Sequence, residues 1–178
     1  MALPRPIGIR IVVAATGLLL AGISASQPAP TCAGEAYDLA RRFAGAWQEF
    51  TVTGSGERLE GRLDSTLEAG GCAITQTFTS VDGAFSFRSL GYVENLMGQW
   101  VETYVLSNGR VASYRWRVEG IDIVLDRISG GDPATRRRLR VTFEGADVYR
   151  VVEEMAPPGS DEWTRGAVTM TRRIAAAG

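Results

Sequence analysis

Aromatic and polar side chains alternate along several segments of the chain in a way that could build a ligand pocket. In the segment 99–107, Trp100, Glu102 and Tyr104 are spaced two residues apart, which puts them on one face of a strand. An aromatic wall with a few polar groups is what a small-molecule site requires. Extending the pattern to neighbouring segments gives seven candidate ligand-binding residues: Gln76, Arg88, Tyr92, Trp100, Glu102, Tyr104 and Arg115.

The same residues have a purely structural interpretation, which stays open at the level of sequence. Trp100 and Tyr104 suit a hydrophobic core, and Glu102 could form a buried ion pair with Arg115 or Arg88. If burial instead raises the pKa of Glu102, its carboxyl could serve as a general acid or base. Tyr92 or Arg88 would then stabilise an oxyanion.

The composition excludes several classes of enzyme. The 178-residue chain contains no histidine, and all 19 of its basic residues are arginine. Ser-His-Asp and Cys-His nucleophile systems, zinc hydrolases with histidine ligands and histidine-ligated haem sites are therefore excluded for the unmodified chain. The sequence also lacks a Gly-rich phosphate loop and a cluster of metal ligands. We assign no catalytic residue, no metal site and no cofactor, and enzymatic activity is the less favoured interpretation.

Period-two alternation dominates the chain beyond residue 46 and predicts the elements that hold these candidates. Asn108-Gly109 between two such segments is a strong hairpin signal, since both residues tolerate a positive φ. The connections are too short for parallel crossovers, so the strands should be antiparallel. Ten strands are expected, at about 46–53, 58–68, 72–80, 84–93, 99–107, 110–118, 121–128, 136–145, 147–155 and 164–173.

A meander of eight to ten antiparallel strands favours an all-β, up-and-down closed barrel, because closure removes exposed edges. A two-sheet sandwich is the alternative. Before the strands, apolar residues recur at helical spacing and predict one N-terminal helix from Glu35 to about Ala46. We expect Trp47 and Trp163 to pack where the barrel closes.

The N-terminal segment has the layout of a secretory signal peptide. Arg5 and Arg10 precede an uncharged apolar stretch of about 13 residues, and small residues follow at 24–26. The stretch is short for a membrane-spanning helix, which needs about 20 apolar residues, and an uncleaved anchor is the alternative. We therefore divide the chain into a signal peptide (1–26), a linker (27–34) and a barrel domain (35–174), located in the periplasm or secreted.

Cysteine count and charge indicate the compartment and the partners. The chain has two cysteines, Cys32 and Cys72, and an even number in an exported protein predicts a disulfide. The formal charge of −1 is unlike that of a nucleic-acid-binding protein. The basic run 136–138 with Arg140 is interpreted as a solvated strand end, the alternative being a contact with an anion or a membrane surface. The expected partner is a small-molecule ligand, with no nucleic acid and no stable membrane anchor after signal cleavage.

Several segments resemble a known group of barrels. Phe43-Ala44-Gly45-Ala46-Trp47 resembles the G-x-W opening of lipocalin-like, or calycin-like, proteins. Further segments resemble an uncharacterised bacterial family within that group: 71–76, 91–92, 98–104, 163–164 and 171–173. The resemblance covers about 35–174 and implies a barrel of the shape that carries small ligands, while the family lends no settled activity.

Three functions are compatible with these observations. The favoured one is an exported protein that binds a small, partly apolar molecule inside the barrel. The alternatives are an isomerase or cyclase type of enzyme acting in the barrel interior, and a packed, envelope-associated structural module without a ligand. A cavity with Glu102 or Arg88 at its base would favour the first two, and a filled interior would favour the third.

Overall fold

The computed structural model describes residues 32–94 and 98–175, and within them one helix is followed by ten strands. The helix, α1, spans Glu35–Phe43, and a 3-10 turn spans Ala69–Gly71. The strands are β1 (Gly45–Thr53), β2 (Gly56–Glu68), β3 (Ala73–Ser80), β4 (Ser86–Glu94), β5 (Gln99–Leu106), β6 (Val111–Glu119), β7 (Asp122–Ser129), β8 (Arg136–Phe143), β9 (Val148–Ala156) and β10 (Thr164–Arg173).

The strands form a closed barrel in which each pairs antiparallel with its neighbours in sequence, and β1 also pairs with β10. At this closure Trp47 lies opposite Arg173, and Phe50 lies opposite Met170. The all-β, up-and-down antiparallel barrel predicted from the sequence is confirmed, and the two-sheet sandwich is excluded. Closure pairs the backbone groups that an open sheet would leave free on its first and last strands.

The turn between β5 and β6 shows how the hairpins are made. Gly109 adopts a φ of +78°, a conformation that glycine reaches without steric cost. The amide of Leu106 donates to the carbonyl of Arg110 at 2.9 Å. The side-chain oxygen of Asn108 accepts a hydrogen bond from the amide of Arg110 at 3.1 Å. The Asn-Gly pair therefore identified this hairpin correctly.

Helix α1 closes one end of the barrel. Its residues Ala40 and Phe43 are buried. The ring of Phe43 packs edge-on against Trp116, Phe143 and Tyr149, with ring centroids 5.2, 5.0 and 5.4 Å away. This end of the barrel is therefore filled by side chains.

Two tryptophan indoles fix α1 to the barrel wall. Trp47 Nε1 donates to the carbonyl of Phe43 at 2.8 Å, and Trp100 Nε1 donates to the carbonyl of Ala36 at 2.6 Å. Both side chains are almost completely buried. An indole N–H has to find an acceptor when it is buried, so these two bonds set where the helix lies. The expectation that Trp47 packs at the closure is confirmed.

Two predictions about the ends of the barrel were wrong. The helix ends at Phe43 rather than near Ala46, because Gly45 has a φ of +129° and starts β1. Trp163 does not pack at the closure. It lies in the connection between β9 and β10, where the guanidinium carbon of Arg138 is 3.9 Å from its ring centre.

A disulfide joins Cys32 to Cys72, whose Cα atoms are 5.0 Å apart, so the predicted pairing is confirmed. The bridge links the residues that precede α1 to the residue that precedes β3. The guanidinium of Arg41 donates to the carbonyl of Cys32 at 2.7 Å and adds to this connection. Disulfides persist in oxidising compartments, and this one indicates such an environment.

The predicted signal peptide (1–26) and the first part of the predicted linker (27–34) lie outside the described residues. Within the predicted domain (35–174), α1 starts at Glu35 and β10 ends at Arg173. In the part of the chain that the structure describes, no helix is both long enough and apolar enough to span a membrane.

Removing the disulfide should destabilise the barrel. The bridged cysteines are 40 residues apart, and the chain entropy of such a loop sets an upper value of about 4 kcal/mol. We expect Cys32→Ser/Cys72→Ser to lower the free energy of unfolding by about 2–4 kcal/mol in urea denaturation at pH 7. Reduced wild-type protein is the control and should match the variant. Equal stabilities of the oxidised wild type and the variant would contradict this prediction.

Candidate functional site

The barrel contains a cavity of about 380 Å³. Phe43 of α1 belongs to its floor, whereas the exposed residues Phe85 and Ala167 belong to its opposite end. The cavity therefore opens to solvent at the end away from the helix, which we call the mouth. Small-molecule sites usually have volumes of about 300–1,000 Å³, so the cavity suits a ligand of modest size.

The cavity wall is largely apolar, and seven of its 21 lining residues are aromatic. Tyr104 lies between Phe87 and Tyr114, with ring centroids 5.3 and 5.6 Å away, and both contacts are edge-on. Trp116 and Tyr149 line the wall next to α1. These rings offer a ligand apolar surface, and the tyrosines add hydroxyl groups that can make hydrogen bonds.

Glu102, on β5, is a fully buried carboxyl in the cavity lining. The Ser89 hydroxyl donates to its Oε1 at 2.5 Å, whereas Oε2 has no hydrogen-bond partner among the described residues. Burial raises the pKa of Glu102 to about 7, and the Ser89 hydroxyl, followed by Tyr104 and Trp116, offsets part of the rise. At neutral pH this carboxyl is therefore divided between its neutral and charged forms.

Glu49, on β1, is another of the three carboxyls in the lining, four strands from β5 around the ring. It is only partly buried by the protein, so part of it faces the cavity space. Desolvation and, to a lesser extent, the nearby carboxylate of Glu60 together raise the pKa of Glu49 to about 7. No arginine contributes to this pKa, because no described arginine is paired with Glu49.

Tyr149 connects the two carboxyls electrostatically. Its side chain is buried on β9, and burial is the main reason that its pKa is raised. The negative charges of Glu49 and, to a lesser extent, Glu102 raise it further. The charges of both carboxyls therefore act on the Tyr149 hydroxyl, and all three side chains belong to the lining of a largely apolar wall.

At the mouth, Arg137 and Glu153 form an ion pair with 2.5 Å between Nε and Oε1. Arg137 is the one arginine in the cavity lining within the described residues. The other arginines of the basic run lie on the outer face of β8, where Arg138 pairs with Glu154 at 2.5 Å. The basic run therefore divides between the mouth and an outer network of ion pairs.

Four of the seven residues predicted to face inward do so. Gln76, Glu102 and Tyr104 line the cavity, and Nε2 of Gln76 donates to Ser65 Oγ at 3.2 Å. Trp100 also points inward, but it packs against Trp116 and α1 and fills the closed end. Whether any of these side chains contacts a ligand stays a prediction.

The expected inward orientation of the other three residues was wrong. Arg88 and Tyr92 are exposed on the outer face of β4, because Ser89 and Gly91 take the inner face. A Cβ at Gly91 would lie 2.9 Å from the side chain of Ile74, so any larger residue there would force a neighbour to shift. Arg115 also lies outside, where its guanidinium is 3.6 Å from the carboxylate of Glu94 rather than paired with Glu102.

Several cavity residues were missed by the sequence interpretation, and Glu49 is the most important of them. The sequence did contain a signal for Glu49, since it lies two residues after Trp47, which was expected to pack where the barrel closes. Tyr114 and Trp116 lie on the face of β6 opposite to that of Arg115, and the face of Arg115 was expected to be the inner one. Tyr149 had no signal beyond its place in the alternating pattern of β9.

Comparisons with known proteins give a structural neighbour and no family. No family model matches the chain, and no curated protein matches it. Among solved structures, the chain is similar to an S-type phycobiliprotein lyase from Guillardia theta, with 11% sequence identity and a TM-score of 0.48. The match covers 79% of this chain and 93% of the lyase. We transfer no activity from it.

The raised pKa of Glu102 should make stability depend on pH. The pKa of this carboxyl is near its ordinary value of 4.5 in the unfolded chain but near 7 in the folded protein, so stability is highest below pH 4.5 and is lost as pH rises through 7. Glu102→Gln removes this loss. We expect the difference in unfolding free energy between variant and wild type to move in favour of the variant by about 3 kcal/mol from pH 4 to pH 8.

Urea denaturation at intervals of one pH unit measures this difference. Glu162→Gln, in the exposed connection between β9 and β10, is the control and should follow the wild type throughout. A difference between Glu102→Gln and the wild type that stays constant with pH would rule out a raised pKa at Glu102.

Proposed function

We propose that this protein is an exported binding protein that holds a small, partly apolar molecule inside its barrel. The observation that supports the proposal most is the cavity of about 380 Å³ with a largely apolar, partly aromatic wall, a few polar groups and one mouth. This combination of apolar surface and sparse polar groups is usual for sites that bind small organic ligands.

The cost of the cavity argues against a purely structural barrel. Protein interiors are normally close-packed, and unfilled volume lowers stability in proportion to its size. Large side chains fill the α1 end, where Trp47, Trp100 and Phe43 are buried. The wall toward the mouth carries the small residue Ala112 and leaves space. An interior that is filled by side chains at one end and open at the other suits a ligand-binding barrel better than a structural module.

The fixed floor supports binding as well. Because α1 is held by two indole hydrogen bonds and lies next to the disulfide, the aromatic wall is organised before a ligand arrives. Preorganisation of this kind reduces the entropy cost of binding. Location in the periplasm or outside the cell is part of the proposal, supported by the disulfide and by the signal-peptide layout of residues 1–26.

A proton-transfer enzyme acting in the same cavity is the second candidate. It is favoured by one observation, the pKa of about 7 at both Glu49 and Glu102. Carboxyls with such pKa values can accept and donate protons at neutral pH, as an isomerase requires. Chemical conversion of a bound ligand, followed by mass spectrometry, would distinguish this activity from simple binding.

Filling the cavity should abolish ligand binding. Ala112 lines the cavity on β6, and the adjacent Val111 is 48% exposed. We expect the neutral fluorescent probe N-phenyl-1-naphthylamine to bind the wild type saturably, and Ala112→Phe to weaken this binding by about tenfold or more, since it displaces the probe. Val111→Phe, which adds a similar ring to the exposed neighbouring position, is the matched control and should bind like the wild type.

Circular dichroism and thermal melting establish that the variants are folded. Should Ala112→Phe fail to fold, Ala167→Phe at the mouth provides the same obstruction at an exposed position. Saturable binding that is equally strong in the wild type and both obstructed variants would place the probe outside the cavity. No binding to the wild type would overturn the proposal.

A further inference from the structure

The cavity has an electrostatic imbalance that its own side chains do not correct. Glu49 and Glu102 both belong to the lining, and Oε2 of Glu102 is buried without a hydrogen-bond partner among the described residues. A buried carboxylate is costly unless an opposite charge or several hydrogen bonds compensate it. Ser89, Tyr104 and Trp116 offset part of this cost at Glu102, but no opposite charge among the described residues does so at either carboxyl, and this points to a missing positive partner.

The arginines near this region are already engaged elsewhere. Arg137 at the mouth is paired with Glu153. Arg173 at the closed end holds Asp147, with 3.0 Å between Nε and Oδ1, and donates to the carbonyl of Ala44 at 2.7 Å. Since the chain has neither lysine nor histidine, arginine is the one cationic side chain that it can offer. None of the described arginines pairs with either glutamate.

Other groups that face the two carboxyls are neutral or negative. Around Glu49 these are Glu60 on β2, whose carboxylate is paired with Arg58 at 2.8 Å, Thr171 on β10 and Tyr149 on β9. Around Glu102 they are Ser89 on β4 and, on β5 and β6, Tyr104, Tyr114 and Trp116. The surroundings of both carboxyls therefore attract a cation more than they attract an anion.

Aromatic rings in the wall add to this preference. Tyr104, Tyr114 and Tyr149 all belong to the lining, and so does Trp116. The faces of such rings carry partial negative charge and attract ammonium groups, most strongly where water is excluded. Carboxylates among aromatic rings are a combination that recognises organic ammonium ions.

We propose that the ligand is an organic cation, an amine with an apolar or aromatic body, whose ammonium group is held by Glu49 and Glu102 among the tyrosine rings. This inference rests on the proposed binding function and specifies its ligand class. The apolar body lies against the wall between the carboxyls and the mouth. Glu49, which is partly open to the cavity, makes the direct contact, and Glu102 contributes its charge from a deeper position.

A pair of compounds with the same shape and different charge tests this ligand class. 1-Naphthylmethylamine carries an ammonium group at neutral pH, and 1-naphthylmethanol has a hydroxyl in the same place. We expect calorimetric titration of the wild type at pH 7.5 to give about tenfold or tighter binding of the amine relative to the alcohol. Equal affinities would overturn the ligand class while leaving the binding function intact. Failure of both compounds to bind would count against the binding function itself.

Substitution of the carboxyls tests which groups cause the preference. Glu49→Gln and Glu102→Gln keep the shape of the side chains and remove their negative charge. We expect each to reduce the ratio of amine to alcohol affinity, and the double variant to bring it close to one. Glu144→Gln, exposed in the turn between β8 and β9, is the matched control and should keep the wild-type ratio. An unchanged ratio in the double variant would contradict the proposal.

The pH dependence of the wild type needs no variant and gives an independent result. Because the cation binds the ionised carboxyls, amine affinity should rise from pH 5.5 to pH 7.5, as Glu49 and Glu102 lose their protons. The alcohol should bind with little change over the same range. If the carboxyls instead act as neutral donors to a ligand oxygen, amine affinity will stay flat or fall, and the proposed ligand class is wrong.

Discussion

Where β1 meets β10, Glu49 lies opposite Thr171, and this pairing turns a row of hairpins into a ring. An open sheet with the same strands would expose its inner face to water, and Glu49 would then keep an ordinary pKa. The enclosed cavity, the buried Tyr149 hydroxyl and the uncompensated charge of the interior all depend on this closure. The hydrogen bonds between the first and last strands thus determine the electrostatics of the site as well as the shape of the fold.

The fold could be predicted from the sequence because its determinants are local. Period-two alternation and the Asn108-Gly109 turn specify consecutive antiparallel strands, and each boundary lies within a few residues of its predicted place. The orientation of β4 and β6 could not be predicted in the same way. Both faces of these strands carry large side chains, and the choice depends on contacts between strands, such as that of Gly91 with Ile74.

The candidate site was only partly predictable for a related reason. Glu102 and Tyr104 share the inner face of one strand, so alternation alone grouped them. Glu49 joins them from a strand about fifty residues earlier in the chain, and only the closed ring brings it to the same cavity. The size of the cavity depends on how the opposing side chains fill the ring, and no single segment of sequence contains that information.

The attachment of α1 has a consequence for the kinetics of any bound molecule. Indole hydrogen bonds and the neighbouring disulfide hold α1 in place. In the described part of the barrel, the cavity is therefore closed at the α1 end and open at the mouth. A bound molecule would have to enter and leave through the mouth, past Phe85 and the ion pair of Arg137 with Glu153. For the ligand that we propose, residence time would be set at the mouth and affinity at the closed end, so substitutions could change the two separately.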